Sequence, residues 1–510
     1  NSMEPELTPE ARSIVRAELS RRRFITSTGA VSGAMLLAAC GLKDAESGSA
    51  DATPSEPCIS AVDCATVEVG EYEMDLEAFK RFERPVPTWF SDAKFGVFIH
   101  WGAYSVPAWA EPIRELGTVV DKEWMAHNPY AEWYYNTIRI EGSPAQKHHK
   151  DVHGGAPYDD FLDQWKARKF NPDEWAALFA NAGAQYVIPT TKHHDGITLW
   201  DAPGTGTRNT VARGPQRDLV GAIGDAVRKA GIKFGVYYSG GLDWSVGNSP
   251  PVTTGEQVQG LRPSDAEYAR YCYEHITDLI NRYEPDVLWN DINWPDSAKR
   301  EGEYSLAAIF DQYYKSVPRG VINDRWGVPH SDYKTSEYQN SLENESGAAW
   351  ENCRGIGLSF GYNQIEDQKH YMSVNAAQHH LIDIVSRGGN LLLNVGPTAD
   401  GEIPAFQRKV LKGIGAWLNV NKSAIYASRP ADDVNPSDSP WVRWTANSKK
   451  RYAIVDATGS VEFDAPESAV DIKSATVLGG GPIAVTRSGS KISMTIATPK
   501  IEGPTVVAFN

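Results

Sequence analysis

Asp291 is the carboxylate whose setting best suits bond-breaking chemistry. It ends the run Leu288-Trp289-Asn290-Asp291 and is followed by Ile292, Asn293 and Trp294. A carboxylate at the mouth of a buried strand, among aromatic rings that limit water, can attack an electrophilic carbon. An aspartate that only caps a turn beside core tryptophans would carry the same pattern. Catalysis by such a group needs a second carboxylate. Glu337 lies in Asp332-Tyr333-Lys334-Thr335-Ser336-Glu337-Tyr338, with Glu343, Glu345 and Glu351 close behind it. The pattern alone does not rank these four. Glycoside cleavage with retention uses a nucleophile and a proton donor, with carboxyl groups about 5–5.5 Å apart. The nucleophile's negative charge keeps the donor protonated until that charge is consumed.

The histidines offer a different chemistry. His193-His194-Asp195 follows an apolar run. Adjacent side chains on a strand point to opposite faces and cannot share one ion, but a loop at the strand's end could turn both inward. A metal-assisted hydrolase and a site that hydrogen-bonds a polyhydroxylated substrate both remain open on this pattern. His148, His149 and His153 read as a solvated loop, and His379-His380 as structural residues of a helix. No Cys/His spacing matches zinc, and there is no P-loop or dinucleotide fingerprint. No metal or organic cofactor is expected.

The elements that must position these groups are legible as a rhythm. Phe95–His100, Tyr186–Thr190, Lys233–Tyr238, Asp286–Asp291 and Leu391–Val395 are near-continuous apolar runs of strand length, as expected of parallel strands buried on both faces. Between them lie helical patterns. One starts at Asn171-Pro172, an N-cap followed by proline at the first position. Another runs from Leu219 to Ala230 and stops at Gly231. Repeated strand–helix units over 76–424 predict an α/β fold with a (β/α)8-like barrel. His100, Thr190-Thr191, His193-His194-Asp195, Ser239 and Asp291 all follow their runs, at the end where barrel enzymes assemble sites. From 425 to 510 the segments are short, β-rich and separated by Gly, Ser, Pro and Asp, which predicts a C-terminal antiparallel β-sandwich.

Composition narrows the function classes. The chain of 510 residues carries 50 basic and 65 acidic side chains, a net charge of −15. With no basic patch in its body it is a poor nucleic-acid binder. Five cysteines cannot form a disulfide scaffold. Cys58 and Cys64 could close a small loop in an oxidising compartment, whereas Cys272 and Cys353 read as buried core residues. Residues 1–75 read as export signal and tether. Arg21-Arg22-Arg23 opens a short apolar segment ending Leu37-Ala38-Ala39-Cys40, which resembles a twin-arginine signal with a lipobox. Lipidation at Cys40 is the expectation, giving a periplasmic or outer-membrane-anchored bacterial lipoprotein.

Taken together, the motifs resemble the α-L-fucosidases of glycoside hydrolase family 29. The blocks that carry the resemblance are WFSDAKFGVFIHWGAYSVPAW (89–109), EWY (132–134), TTKHHDGITLWD (190–201), FGVYYS (234–239), VLWNDINWP (287–295), NDRWGVPHSDYKTSEY (323–338), WENCRGIGLSFGYN (350–363) and GNLLLNVGPTADGEIP (389–404). The resemblance implies that Asp291 is the nucleophile and Glu337 the acid/base. It implies that His100, Glu132, Trp133, His193, His194, Tyr237 and Arg325 hold the fucose ring, with Trp289 and Phe360 as apolar walls. It also implies a fucosylated oligosaccharide or polysaccharide as partner. A catalytically silent fucose-binding surface protein is the alternative. Oligomeric state and fucosyl linkage are not legible in the sequence.

Overall fold

The computed structural model describes residues 74–111, 121–338, 347–468 and 470–510. The export segment, Cys40, Cys58, Cys64, Glu343 and Glu345 lie outside the described residues.

Eight parallel strands form one curled sheet: β1 Phe95–Ile99, β2 Tyr186–Lys192, β3 Lys233–Tyr238, β4 Val287–Asn290, β5 Val321–Ile322, β6 Lys334–Glu337, β7 Trp350–Gly355 and β8 Gly389–Val395. The order is β5-β4-β3-β2-β1-β8-β7-β6, so β1 pairs with β8 and the sheet wraps round. Among the described residues β5 and β6 are not paired. The (β/α)8-like barrel is therefore unzipped at one seam, bridged by side chains and by one backbone bond, Asp332 N to Ile322 O at 3.0 Å. Asp324 Oδ1 accepts from Thr335 N at 3.1 Å and Oγ1 at 2.7 Å, and Asp332 Oδ2 accepts from Ile322 N at 2.8 Å.

Helices cover the outside. They are α1 Pro144–His153, α2 Pro172–Ala182, α3 Leu219–Lys229, α4 Ala266–Tyr283, α5 Leu306–Ser316, α6 Val374–Ser386 and α7 Ala405–Asn421. Their starts obey capping chemistry. Asn171 accepts from two backbone N–H groups of α2, and Asp218, Asp265, Ser305 and Ser373 cap α3 to α6. α2 ends at Gly183, whose φ of 91° needs a residue without Cβ. Between β5 and β6 the loop 323–333 replaces a crossover helix. The expected solvated loop at His148–His153 is instead part of α1. Ser143 and Pro144 start that helix, and His149 is buried between the Tyr134 hydroxyl and the Ala156 carbonyl. Only Ala145 and His149 of this helix are buried, too few for an apolar periodicity to reveal it.

The C-terminal region is built from two antiparallel sheets. One joins β9 Arg429–Pro430, β10 Ser437–Asp438, β11 Trp441–Ala446, β12 Arg451–Asp456, β14 Thr476–Val477 and β17 Thr505–Phe509. The other joins β13 Gly459–Asp464, β15 Val485–Ser488 and β16 Lys491–Ile496. Alternation along β12 assigns each side chain to a layer. Ala453 and Val455 face the sandwich core with Phe463, Ile492 and Phe509. Tyr452 and Ile454 face the other way and join the barrel's core with Leu381 and Leu411 of α6 and α7. Each large side chain so buried is worth roughly 1.5–3 kcal/mol, so the sandwich is an integral wall of the barrel.

Candidate active site

Asp291 is the first residue beyond β4. Its amide N–H still donates to Tyr238 O at 3.1 Å, and then the chain turns. Ile292 sits at φ 69°, a conformation that costs a β-branched residue about 1–3 kcal/mol. The turn lets Ile292 N donate to Asp291 Oδ1 at 2.9 Å and aims the carboxyl into the barrel mouth. Arg325 enters from the loop after β5. A reciprocal pair of asparagines locks both backbones: Asn290 N donates to Asn323 Oδ1, Asn323 Nδ2 donates to Asn290 O, and Asn290 Nδ2 donates to Arg325 O at 2.8 Å. Asn290 and Asn323 escaped the sequence reading. Their signal was an amide at the end of an apolar run, where only a hydrogen-bonding task justifies it.

The Arg325 guanidinium spans both candidate catalytic groups. Nη1 donates to Asp291 Oδ1 at 3.0 Å, Nη2 to Glu337 Oε2 at 3.2 Å, and Nε to Thr335 Oγ1 at 3.1 Å. Glu337 is the last residue of β6, so a strand rather than a loop presents it. Tyr237, on β3, donates its hydroxyl to Asp291 Oδ2 at 2.7 Å. Burial pushes the Asp291 carboxyl up. The Arg325 charge, His194 and the Tyr237 hydroxyl outweigh burial and hold it below the ordinary aspartate range. Trp289 lies beneath, stacked on Tyr237 with centroids 5.5 Å apart and with the Arg325 guanidinium 4.6 Å over its ring.

Both histidines of the 193–194 pair turn inward. β2 ends in a register shift against β3, and Gly196 at φ 77° completes the turn. His194 Nε2 stands 3.8 Å from Asp291 Oδ2, while its Nδ1 meets Ser239 Oγ at 2.6 Å. His193 stacks on Tyr237 at 5.5 Å, and its Nδ1 has no hydrogen-bond partner among the described residues. His100, just past β1, bonds Asn394 Oδ1 at 2.7 Å. Burial lowers His100 and His194 to about 4 and His193 well below its usual value. All three are neutral imidazoles near neutral pH, able to donate and accept toward hydroxyls. Among the described residues, no group of three or more His, Cys, Asp or Glu is arranged to hold a metal ion.

Glu132 and Trp133 come from a short 3-10 turn in the long insertion after β1. Glu132 Oε2 accepts from Gly361 N at 2.8 Å, and burial pushes its carboxyl up to about 7. That bond ties down the loop carrying Phe360, whose ring lies 4.9 Å from His100. Glu366 does the same from the far side, accepting from Leu358 N and Ser359 N. Trp133 meets His194 edge-on and packs on Trp244. Glu366 and Trp244 were missed because neither adjoins a strand-end signal. Glu351, the remaining described rival for proton donor, is on β7 and fully buried. It accepts from the Trp289 indole and the Tyr186 hydroxyl, beneath the floor.

Two carboxylates on one guanidinium, walled by neutral imidazoles and aromatic rings at the C-terminal mouth of a barrel, define a glycoside hydrolase. Residues 60–423 match the family model described as alpha-L-fucosidase, and the chain belongs to that family. It is 37% identical over 381 residues to the human tissue alpha-L-fucosidase, covering 73% of this chain and 76% of that one. An alpha-L-fucosidase of Dictyostelium discoideum is 31% identical over 456 residues, covering 84% of this chain and 92% of the relative. Among solved structures, Thermotoga maritima alpha-fucosidase in complex with fucose matches with a TM-score of 0.76 at 41% identity. That match covers 86% of this chain and all of the other.

Proposed function

We propose that this protein removes terminal α-L-fucosyl residues from oligosaccharides or polysaccharides by double displacement. The observation that carries the reading is the Arg325 bridge between Asp291 and Glu337. Fucose presents hydroxyls on one side and a C6 methyl on another, so its pocket needs both polar groups and an apolar wall. His100, His193, His194 and Glu132 supply the first, and Phe360 and Trp289 the second. Asp291 attacks the anomeric carbon while Glu337 protonates the leaving oxygen. The resulting ester removes the negative charge from Asp291. Glu337, having given up its proton to the leaving group, then deprotonates water for the second attack. No cofactor enters these steps. Both acidic groups being in place favours catalysis over silent sugar binding. Export with lipidation at Cys40 rests on the residue pattern alone, and acyl-peptide mass spectrometry of the host's membrane fraction tests it.

Azide rescue separates the two roles. Asp291→Gly should cut kcat on an aryl α-L-fucoside by on the order of 10⁴-fold or more, and added azide should give β-fucosyl azide in a single displacement. Glu337→Ala should be rescued on the same activated substrate with α-fucosyl azide as product, because the ester still forms first. Wild-type turnover by the Asp291 variant would remove it from the reaction.

A further inference from the structure

Beneath the site lies a buried carboxyl to which the mechanism above gives no task. Glu351, second residue of β7, is fully inaccessible, and its strand pairs with β6 on one side and β8 on the other. No lysine or arginine forms an ion pair with it among the described residues. Oε1 accepts from Trp289 Nε1 at 2.9 Å and Oε2 from the Tyr186 hydroxyl at 2.7 Å. A fully buried carboxyl held only by neutral donors is costly, and an apolar side chain there would be the cheaper way to fill a barrel. Its two contacts lead to the chemistry. The Trp289 ring is the platform for the Arg325 guanidinium at 4.6 Å and stacks on Tyr237. Arg325 and Tyr237 are the side chains that hydrogen-bond the two oxygens of Asp291, beside the Ile292 N–H on Oδ1.

Resting on the reading of Asp291 as nucleophile, we infer that Glu351 is a positioning residue that fixes the Trp289 indole and, through it, the register of Arg325 and Tyr237 against Asp291. Packing restrains an indole within an aromatic layer, and a bond to its N–H adds a directional constraint that ring contacts lack. Glu351 supplies that orientation from below, where no substrate competes for it. Burial pushes the Glu351 carboxyl up to about 7, against the indole, the Tyr186 hydroxyl and the Arg325 charge. Asp324, Tyr333 and Cys353 also face this layer. Either protonation state retains an oxygen that can accept from the indole, so the anchor persists across the working range. Asp291 is faced by Arg325, His194 and Tyr237. Loosening Arg325 leaves burial less opposed, so the acid limb of kcat/KM moves to higher pH.

The test uses Glu351→Leu and Glu351→Gln in the full chain, with turnover expressed per active site counted by a covalent fucosyl inactivator. Glu351→Leu should lose on the order of 10- to 100-fold in kcat per site, with KM for the aryl fucoside changed far less, and its acid limb should shift upward. Glu351→Gln keeps an acceptor for the indole and should recover most of kcat and the original limb. Trp289→Phe removes the same bond from the other end and serves if Glu351→Leu does not fold. Trp289→Phe should then lose kcat per site and move the acid limb upward as Glu351→Leu would. Wild-type kcat per site and an unmoved acid limb in Glu351→Leu, or in Trp289→Phe where that variant is the one used, would overturn the inference and leave Glu351 a packing residue. Failure of the underlying reading shows separately, as activity in Asp291→Gly.

Discussion

Asp291 needs to be ionised in a buried pocket, and that state rests on a few contacts. Replacing Arg325 by glutamine leaves burial in place and removes the charge that opposes it. The Asp291 carboxyl should rise, the acid limb of kcat/KM should move to higher pH, and kcat should fall by about 10²-fold or more. A pH–rate profile measured down to the stability limit checks both. The histidines predict a different dependence. His100 and His194 are lowered to about 4 by burial, so they stay neutral until acid protonates them. As pH falls toward about 4, each loses its acceptor lone pair and gains a charge. Fucose affinity should weaken on that side, and fucose titration of the Asp291→Gly variant isolates the effect from catalysis. At this scale the sequence was partly legible. Asp291, His100 and the histidine pair announced themselves as polar groups ending apolar runs. Glu337 did not, because its strand Lys334-Thr335-Ser336-Glu337 is polar throughout, and family resemblance singled it out from its neighbours. Glu132 and Trp133 belong to a 3-10 turn with no periodicity to betray it.

The strands that carried clear signals were β1 to β4 and β8, buried on both faces and apolar along their length. β5, β6 and β7 escaped because β5 has two residues and the other two put polar side chains inside the barrel. β5 and β6 flank the unpaired seam and β7 is the next strand in, so the least regular part of the sheet carries Arg325, Glu337 and Glu351. The seam is closed by side chains and a single backbone bond instead of a ladder, and Asp324 fastens it on the Glu337 side. Asp324→Ala should lower stability by about 1–3 kcal/mol. It should reduce kcat more than KM, since Thr335 fixes both β6 and the Nε of Arg325. Urea unfolding and kinetics on one preparation measure the two effects together. Equal losses in kcat per site and in the fraction folded would contradict the positional role.

Across the whole molecule, the sandwich buttresses the wall that carries β7, β8 and the Phe360 loop. His379 of α6 stacks on Trp441 at 3.9 Å and meets Asp456 Oδ2 at 2.5 Å. Arg443 pairs with Asp383 of α6 and with Asp438 at 2.8 Å. Tyr452 and Ile454 continue the barrel's apolar core into the sandwich. His379-His380 read as structural from the sequence, and the structure gives the reason: one locks the interface, the other bonds Asn352 at 2.9 Å. Arg443→Ala removes the ion pair to the part-buried Asp383 and should cost about 1–3 kcal/mol, read as a fall in melting temperature with kcat per site nearly unchanged. The alternation along β12 was visible as a short β-rich run, but which face met the barrel was not, because both faces are apolar.

The covalent step can be caught directly. Inactivation with 2-deoxy-2-fluoro-α-L-fucosyl fluoride, followed by digestion and peptide mass spectrometry, should place one fluorofucosyl ester on Asp291 within Val287–Pro295. Label on Glu337 or Glu351, or a wild-type enzyme that takes no label and releases β-fucose first, would contradict the account.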